Sequence, residues 1–99
     1  MSIRHTVVFG LTHAPGSEAE RAFLAEGRRI LSAIPGVEEF AIARQVSAKS
    51  DLTHQFSMVF ADDEAYAAYN AHPDHVAFVE ERWVPEVAQF QEYDFVSID

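Results

Sequence analysis

The second half of the chain contains a helix interrupted by proline, with the sequence Tyr66-Ala67-Ala68-Tyr69-Asn70-Ala71-His72-Pro73-Asp74-His75-Val76-Ala77-Phe78. Tyr66 and Tyr69 are three residues apart and therefore share one face of the first helical segment. Pro73 disfavours helical geometry at His72, so we expect the helix to end or bend there. A bend turns side chains from two helical segments toward one cavity, which makes this segment the strongest indication of function in the sequence.

Five further segments of regular structure are predicted around this broken helix. Alternating apolar and polar residues predict strands at 3–10, 37–47, 53–61 and 89–98. A helix begins at the capping residue Ser17 and ends at Pro35-Gly36, and the broken helix runs from about 62 to 88, with a kink at Pro85. A change of parity after Phe90 predicts a bulge in the last strand. The order β-α-β-β-α-β predicts one α+β domain over residues 1–99, a ferredoxin-like sandwich with both helices on one face of a four-stranded antiparallel sheet.

The other face of the predicted sheet is half apolar. The bulky rows containing Val7 and Phe56 are expected to face the helices, so Thr6, Val8 and Val59 face outward. A half-apolar face suits a partner sheet better than water. We therefore predict a homodimer that packs sheet to sheet.

Composition excludes several classes of function. The formal net charge of −9 disfavours binding to nucleic acid and to anionic membranes, because both need a basic surface. The chain has no cysteine and no apolar run long enough to span a bilayer, and we expect a cytoplasmic protein. No cofactor motif is present, and His72 with His75 lacks a convincing third ligand, so no metal site is predicted.

Three side chains are candidates for chemistry: His75, Tyr69 and His5. His75 follows the proline break, and as a neutral imidazole it is suited to act as a base. Tyr69 lies one turn before the break, where a phenol can donate a hydrogen bond to a developing oxyanion. His5 is the polar member of the apolar row on the first strand. The alternative for each is a structural role: a core histidine bonded to a carbonyl, or a buried aromatic ring.

The residues expected to line a pocket around these three are apolar: Val7, Phe9, Phe56, Met58 and Phe78. Tyr66 and Trp83 are interpreted as packing residues. Gly27 interrupts the apolar stripe of the first helix, which indicates either close packing against the sheet or space left for a ligand, and we favour close packing.

Several of these motifs together resemble the stress-responsive A/B barrel (Dabb) family. They are the start of the first strand, Ile34-Pro35-Gly36-Val37, the terminal Tyr93-Asp94-Phe95, and above all residues 69–78, which resemble the family pattern Y-x-x-H-P-x-H-x-x-F. The resemblance implies a ferredoxin-like protomer and a dimer whose two sheets close into a barrel.

The resemblance leaves activity open, because many family members have none established. In a plant branch similar to polyketide cyclases, the positions matching His75, Tyr69 and His5 are the base, an assisting tyrosine and a pocket histidine. We therefore predict a pocket for a small apolar carbonyl or aromatic compound with His75 as base. The alternatives are a non-catalytic stress-response or ligand-binding module, and an enzyme resembling polyketide cyclases or cofactor-free monooxygenases.

Overall fold

A four-stranded antiparallel sheet carries the helices on one of its faces, which confirms the predicted ferredoxin-like architecture. The structure is a computed structural model that describes residues 1–99. Its elements in chain order are β1 (Ile3–Leu11), α1 (Glu18–Leu31), β2 (Glu38–Arg44), β3 (His54–Phe60), α2 (Asp63–Ala71), α3 (Pro73–Phe78), a π-helical turn (Val79–Trp83), α4 (Val84–Glu86) and β4 (Val87–Phe95). The strand order is β2-β3-β1-β4, so the first and third strands occupy the centre of the sheet.

The two central strands supply most of the core. They are antiparallel and in register, with Val7 opposite Phe56 and Phe9 opposite His54. Alternate residues point to one face, so each strand gives a continuous buried row. The members of these two rows are Ile3, His5, Val7 and Phe9 on β1, and His54, Phe56, Met58 and Phe60 on β3. Two histidines are thus buried among apolar side chains.

Helix α1 begins at Ser17, as predicted. The Ser17 hydroxyl accepts a hydrogen bond from the Glu20 backbone N–H at 3.2 Å. The Glu20 carboxylate bonds to the Gly16 N–H at 3.3 Å, one residue before the position that a standard capping box uses. Further along the helix, a Cβ atom on Gly27 would lie 2.6 Å from the Phe56 ring, so the glycine serves close packing against the sheet.

The second helical region is broken at both of its prolines. His72 adopts extended geometry, with φ −63° and ψ 134°, and this ends α2 before Pro73 begins α3. The kink expected at Pro85 takes the form of the π-helical turn, closed by the Val84 N–H and the Val79 carbonyl. The wider turn accommodates the proline, whose ring would otherwise clash with the preceding turn.

The last strand begins two residues earlier than predicted, and its bulge was placed wrongly. Pairing with β1 is continuous from Gln89 to Phe95, and the register shifts instead at Ala88, between Gly10 and Leu11 of β1. The change of parity has another cause. Phe90 faces the helices and packs edge-on against Trp83 at 5.5 Å, whereas Phe95 belongs to the opposite face of the same regular strand.

The open face of the sheet keeps apolar surface. Tyr93 and Phe95 are 45% and 51% exposed, and their rings stack at 6.1 Å. Val8 and Val59 on the central strands are half-buried on the same face. None of the helices combines the length and the apolar character needed to cross a bilayer.

Candidate active site

His75 is held in one tautomer by the helix break. Because α2 stops at Ala71, its last carbonyls are free, and the His75 Nδ1–H donates to the Asn70 carbonyl at 3.2 Å. This bond fixes the proton on Nδ1 and leaves Nε2 as the acceptor atom. Burial lowers the pKa of His75 below its usual value, with a smaller contribution from nearby His5, so the ring is neutral at pH 7.

Tyr69 lies between the two histidines. Its ring centroid is 4.5 Å from that of His75 and 6.3 Å from that of His5. The side chain is only 2% exposed, and its hydroxyl makes no hydrogen bond within the protein. Burial raises the pKa of Tyr69, with additional repulsion from Tyr66 and Glu92, so the phenol remains a protonated donor.

His5 belongs to a hydrogen-bonded cluster at the edge of the sheet. Its Nδ1 lies 2.7 Å from Asp94 Oδ1, on the neighbouring strand β4. The Tyr66 hydroxyl lies 2.9 Å from the same nitrogen and donates to the Asp94 carboxylate at 3.0 Å. The pKa of Tyr66 is raised by burial and then by Asp94. Because Nδ1–H donates to Asp94, Nε2 is the atom of His5 that is free to accept a bond.

The three predicted residues His5, Tyr69 and His75 all line one cavity of about 50 Å³ between the sheet and the helices. Most of the lining is apolar, and Glu92 contributes an exposed carboxylate at the β4 edge, where the cavity reaches the surface. The other lining residues are Val7, Leu31, Phe56, Met58, Phe78, Val79 and Trp83. Four of the five predicted apolar lining residues are therefore present.

Phe9 is the exception among those five. Its ring is fully buried and lies farther along β1, against Phe23 at 5.9 Å, Trp83 at 5.0 Å and the His54 imidazole at 5.7 Å. It supports the core behind Phe56 and does not reach the cavity. Strand parity placed it on the correct face but could not give its position along the strand.

Sequence reasoning also missed three polar residues of the site. Tyr66, interpreted as a packing residue, bonds to His5 and Asp94, and Glu92 lines the cavity mouth. A signal for Asp94 exists in the sequence. A buried histidine on a central strand needs a partner, and an acidic residue on a neighbouring strand can supply one.

His72, which the sequence places beside His75, has a different task. Its Nδ1 accepts the Asp74 backbone N–H at 3.1 Å and so caps α3. The chain contains no group of three His, Asp or Glu side chains arranged to hold a metal ion. The polar groups that the cavity offers to a ligand are therefore a neutral imidazole nitrogen, a phenol proton and a second imidazole around a small apolar space.

These features define a ferredoxin-like domain with a broken second helix and a histidine–tyrosine cavity. The model of the stress-responsive A/B barrel domain (Dabb) matches residues 3–97, and the chain belongs to this family. No curated protein matches the chain.

Three solved structures illustrate how widely the fold is used. A Dabb family protein with a ferredoxin-like fold from Mesorhizobium loti is 56% identical, covers 99% of this chain and 98% of its own, and has a TM-score of 0.98. A dimeric ferredoxin-like protein of unknown function from Thermobifida fusca is 20% identical, with 98% and 92% coverage and a TM-score of 0.81. SnoaB, a cofactor-independent oxygenase from Streptomyces nogalater, is 14% identical, with 99% and 94% coverage and a TM-score of 0.75. The last two similarities establish the fold alone.

Proposed function

We propose that this Dabb protein binds the carbonyl end of a small, largely apolar compound in the cavity and removes a proton from the carbon beside that carbonyl. His75 is the base, Tyr69 the hydrogen-bond donor and His5 a polar wall. The observation that carries this proposal is the bond from His75 Nδ1–H to the Asn70 carbonyl, because it leaves a neutral ring with a basic Nε2 beside a buried phenol.

The proton transfer balances without a cofactor. Nε2 of His75 takes the proton, and the electron pair of the broken C–H bond forms an enolate whose charge resides on the former carbonyl oxygen. The Tyr69 hydroxyl donates a hydrogen bond to that oxygen and keeps its own proton, because burial raises its pKa. A positioned histidine base contributes about 10²–10⁴-fold to such a step.

The size of the cavity limits the ligand. An apolar cavity of about 150 Å³ binds benzene, and this one measures about 50 Å³. It accommodates a carbonyl group and its nearest carbons, while the rest of a ligand extends toward the β4 edge. Glu92 at that edge disfavours anionic ligands. Polyketide-like and aromatic substrates would require Phe56 or Phe78 to move.

A non-catalytic ligand-binding or stress-response module is the second candidate. The observation that favours it is the closed cluster of His5, Asp94 and Tyr66, in which each polar group satisfies another. Such a cluster stabilises a fold whether or not a reaction takes place beside it.

The proposed assembly is a homodimer through the open face of the sheet. Tyr93 and Phe95 are exposed there beside half-buried valines, and a face of this kind is stabilised by covering it. The Thermobifida fusca protein is described as dimeric, which supports a dimer here. The cavity lies on the opposite face, so each protomer holds a complete set of the three site residues.

Exchange of α-protons with solvent tests the proposed chemistry. Butanone is incubated with the protein in D₂O at pH 7, and loss of the α-proton signals is followed by NMR. We expect His75→Ala to reduce protein-catalysed exchange by about 10² or more, while His13→Ala, which removes a histidine that does not line this cavity, leaves it unchanged. Equal exchange in His75→Ala would remove the assignment of the base. Stabilisation of the wild-type protein by butanone without any exchange would favour the ligand-binding module.

A further inference from the structure

A second cavity of about 220 Å³, with few hydrophobic residues in its lining, lies at the other end of the sheet, between the end of β1, the start of β3 and the first turn of α1. His54 in its wall is opposite Phe9, four residues along β1 from His5, which is roughly 13 Å at the rise of a strand. Glu20 and His54 are the buried polar members of the lining, at 5% and 4% exposure. Nothing in the carbonyl chemistry proposed above involves this cavity.

One nitrogen of His54 is left without a partner. Its Nδ1 lies 2.8 Å from the Thr53 hydroxyl, but Nε2 is buried and makes no hydrogen bond. Glu20 Oε2 lies 3.8 Å from this nitrogen, which is too far for a direct bond. Glu20 uses its other oxygen to accept the Gly16 N–H.

The tautomer of His54 decides whether the space between His54 Nε2 and Glu20 Oε2 lacks a hydrogen-bond donor. The Thr53 hydroxyl lies 2.8 Å from His54 Nδ1 and 3.4 Å from the Phe9 carbonyl, so it can donate to either one, and it accepts the proton of Nδ1 when it donates to the carbonyl. In that tautomer His54 presents Nε2 as a lone pair, and burial favours a neutral ring by lowering the pKa of His54. Two acceptors, Nε2 and Glu20 Oε2, thus face each other across 3.8 Å with no donor between them. A molecule in the cavity that carries N–H or O–H groups can supply the donor that two buried acceptors in this arrangement lack.

A positively charged donor with several N–H bonds meets this need best. A metal ion is a poorer fit because only two protein ligands are available, and zinc takes three or four. His13 in the same wall is paired with Glu86 at 2.6 Å. The charges that remain in the lining are Glu20 and Asp51 against Arg44, a negative balance. The cavity volume of 220 Å³ equals that of about seven water molecules in the liquid, so an ammonium group and a short chain fit in it.

We propose that this cavity binds a small primary amine as its ammonium ion, with Glu20 Oε2 and His54 Nε2 as the two buried acceptors. The ammonium supplies one N–H to each and neutralises the Glu20 carboxylate. Its remaining N–H and its chain point toward the wider, solvent-facing part of the cavity, which Asp51 lines.

Calorimetric titration of the full-length protein with ethanolamine at pH 7.5 and constant ionic strength tests the proposal. Ethylene glycol, in which a hydroxyl replaces the ammonium, is the matched neutral probe. We expect saturable binding of ethanolamine and none of ethylene glycol. Glu20→Gln should weaken binding roughly tenfold or more, the loss typical of a charge-assisted hydrogen bond.

Glu18→Gln is the matched control, because it removes the same charge from an exposed position in the same helical turn. It should leave the affinity unchanged. His54→Gln provides an independent variant if Glu20→Gln does not fold, and it should also weaken ethanolamine binding. Absence of saturable binding, equal binding of ethylene glycol, or equal losses in Glu18→Gln and Glu20→Gln would each overturn the proposal.

Discussion

Replacement of Gly27 by alanine tests the packing that separates α1 from the sheet. In an exposed helix this change stabilises a protein, because alanine has the higher helix propensity by about 1 kcal/mol. Here the new Cβ would lie 2.6 and 2.9 Å from two atoms of the Phe56 ring and 3.5 Å from Phe78. The first distance is about 0.8 Å short of the 3.4 Å at which ordinary contact begins.

The Phe56 ring has no free space into which to retreat. It is 1% exposed and lies within 4.8 to 6.3 Å of four other aromatic rings, those of Phe9, Phe23, Phe40 and Trp83. Overpacking of this kind costs about 1–3 kcal/mol. With the propensity gain of about 1 kcal/mol subtracted, we expect a net loss of up to about 2 kcal/mol. In a domain of this size each kcal/mol lowers the melting temperature by about 4–8 °C.

Differential scanning calorimetry at one fixed protein concentration measures the effect, since the proposed dimerisation would make the melting temperature depend on concentration. Ala25→Gly, at an exposed position of α1, is the control for helix propensity alone and should cost about 1 kcal/mol. Adding Phe56→Leu to Gly27→Ala should recover part of the loss by removing the clashing atoms. A higher melting temperature in Gly27→Ala would refute the reasoning, because it would show that the ring yields without cost.

Two further predictions concern assembly and pH. Phe95→Glu, on the open sheet face, should convert the proposed dimer into monomers in light scattering coupled to gel filtration. Val46→Glu, at an apolar residue that is 85% exposed outside the strands, should leave the dimer intact. A dimeric Phe95→Glu protein would place the interface elsewhere. Burial lowers the pKa of both His75 and His54, so below pH 6.5 the unfolded chain binds protons that the folded chain does not. The free energy of unfolding should therefore fall as pH drops from 6.5 toward the folded pKa values. The fall should be at most about 1.4 kcal/mol per histidine and pH unit. Urea titrations at pH 8, 6.5 and 5 should show a smaller fall when either histidine is replaced by glutamine, and an unchanged fall would mean that other groups cause it.

The fold was predictable because most of its information is local. The alternation along β1 and β3 identifies the buried rows, and Pro73 marks the end of α2 without knowledge of any tertiary contact. His75 and Tyr69 were predicted for the same reason: both are within one turn of that break. Their convergence needs only the assumption that the broken helix packs on the sheet.

The parts that were missed depend on register between distant segments. Asp94 reaches His5 because the two are directly opposite in the pairing of β1 with β4, across 89 positions of sequence. A bulge at Ala88 sets that register, and the sequence pattern placed the bulge elsewhere. Phe9 was misplaced for a related reason, since two residues along a strand move a side chain by about 7 Å without changing its face.

Each of the two prolines of the second helical region accompanies a helix irregularity that positions residues lining the same cavity. Pro73 frees the Asn70 carbonyl that orients His75, and Pro85 accompanies the π-helical turn whose first and last residues, Val79 and Trp83, also line the cavity. A π turn adds one residue, which rotates the residues after the turn by about 100° around the helix axis compared with a regular helix. A continuous α-helix through residues 63–86 would therefore lose the partner of His75 and displace the far wall. The irregularities that weaken this region as a helix are the features that shape the site.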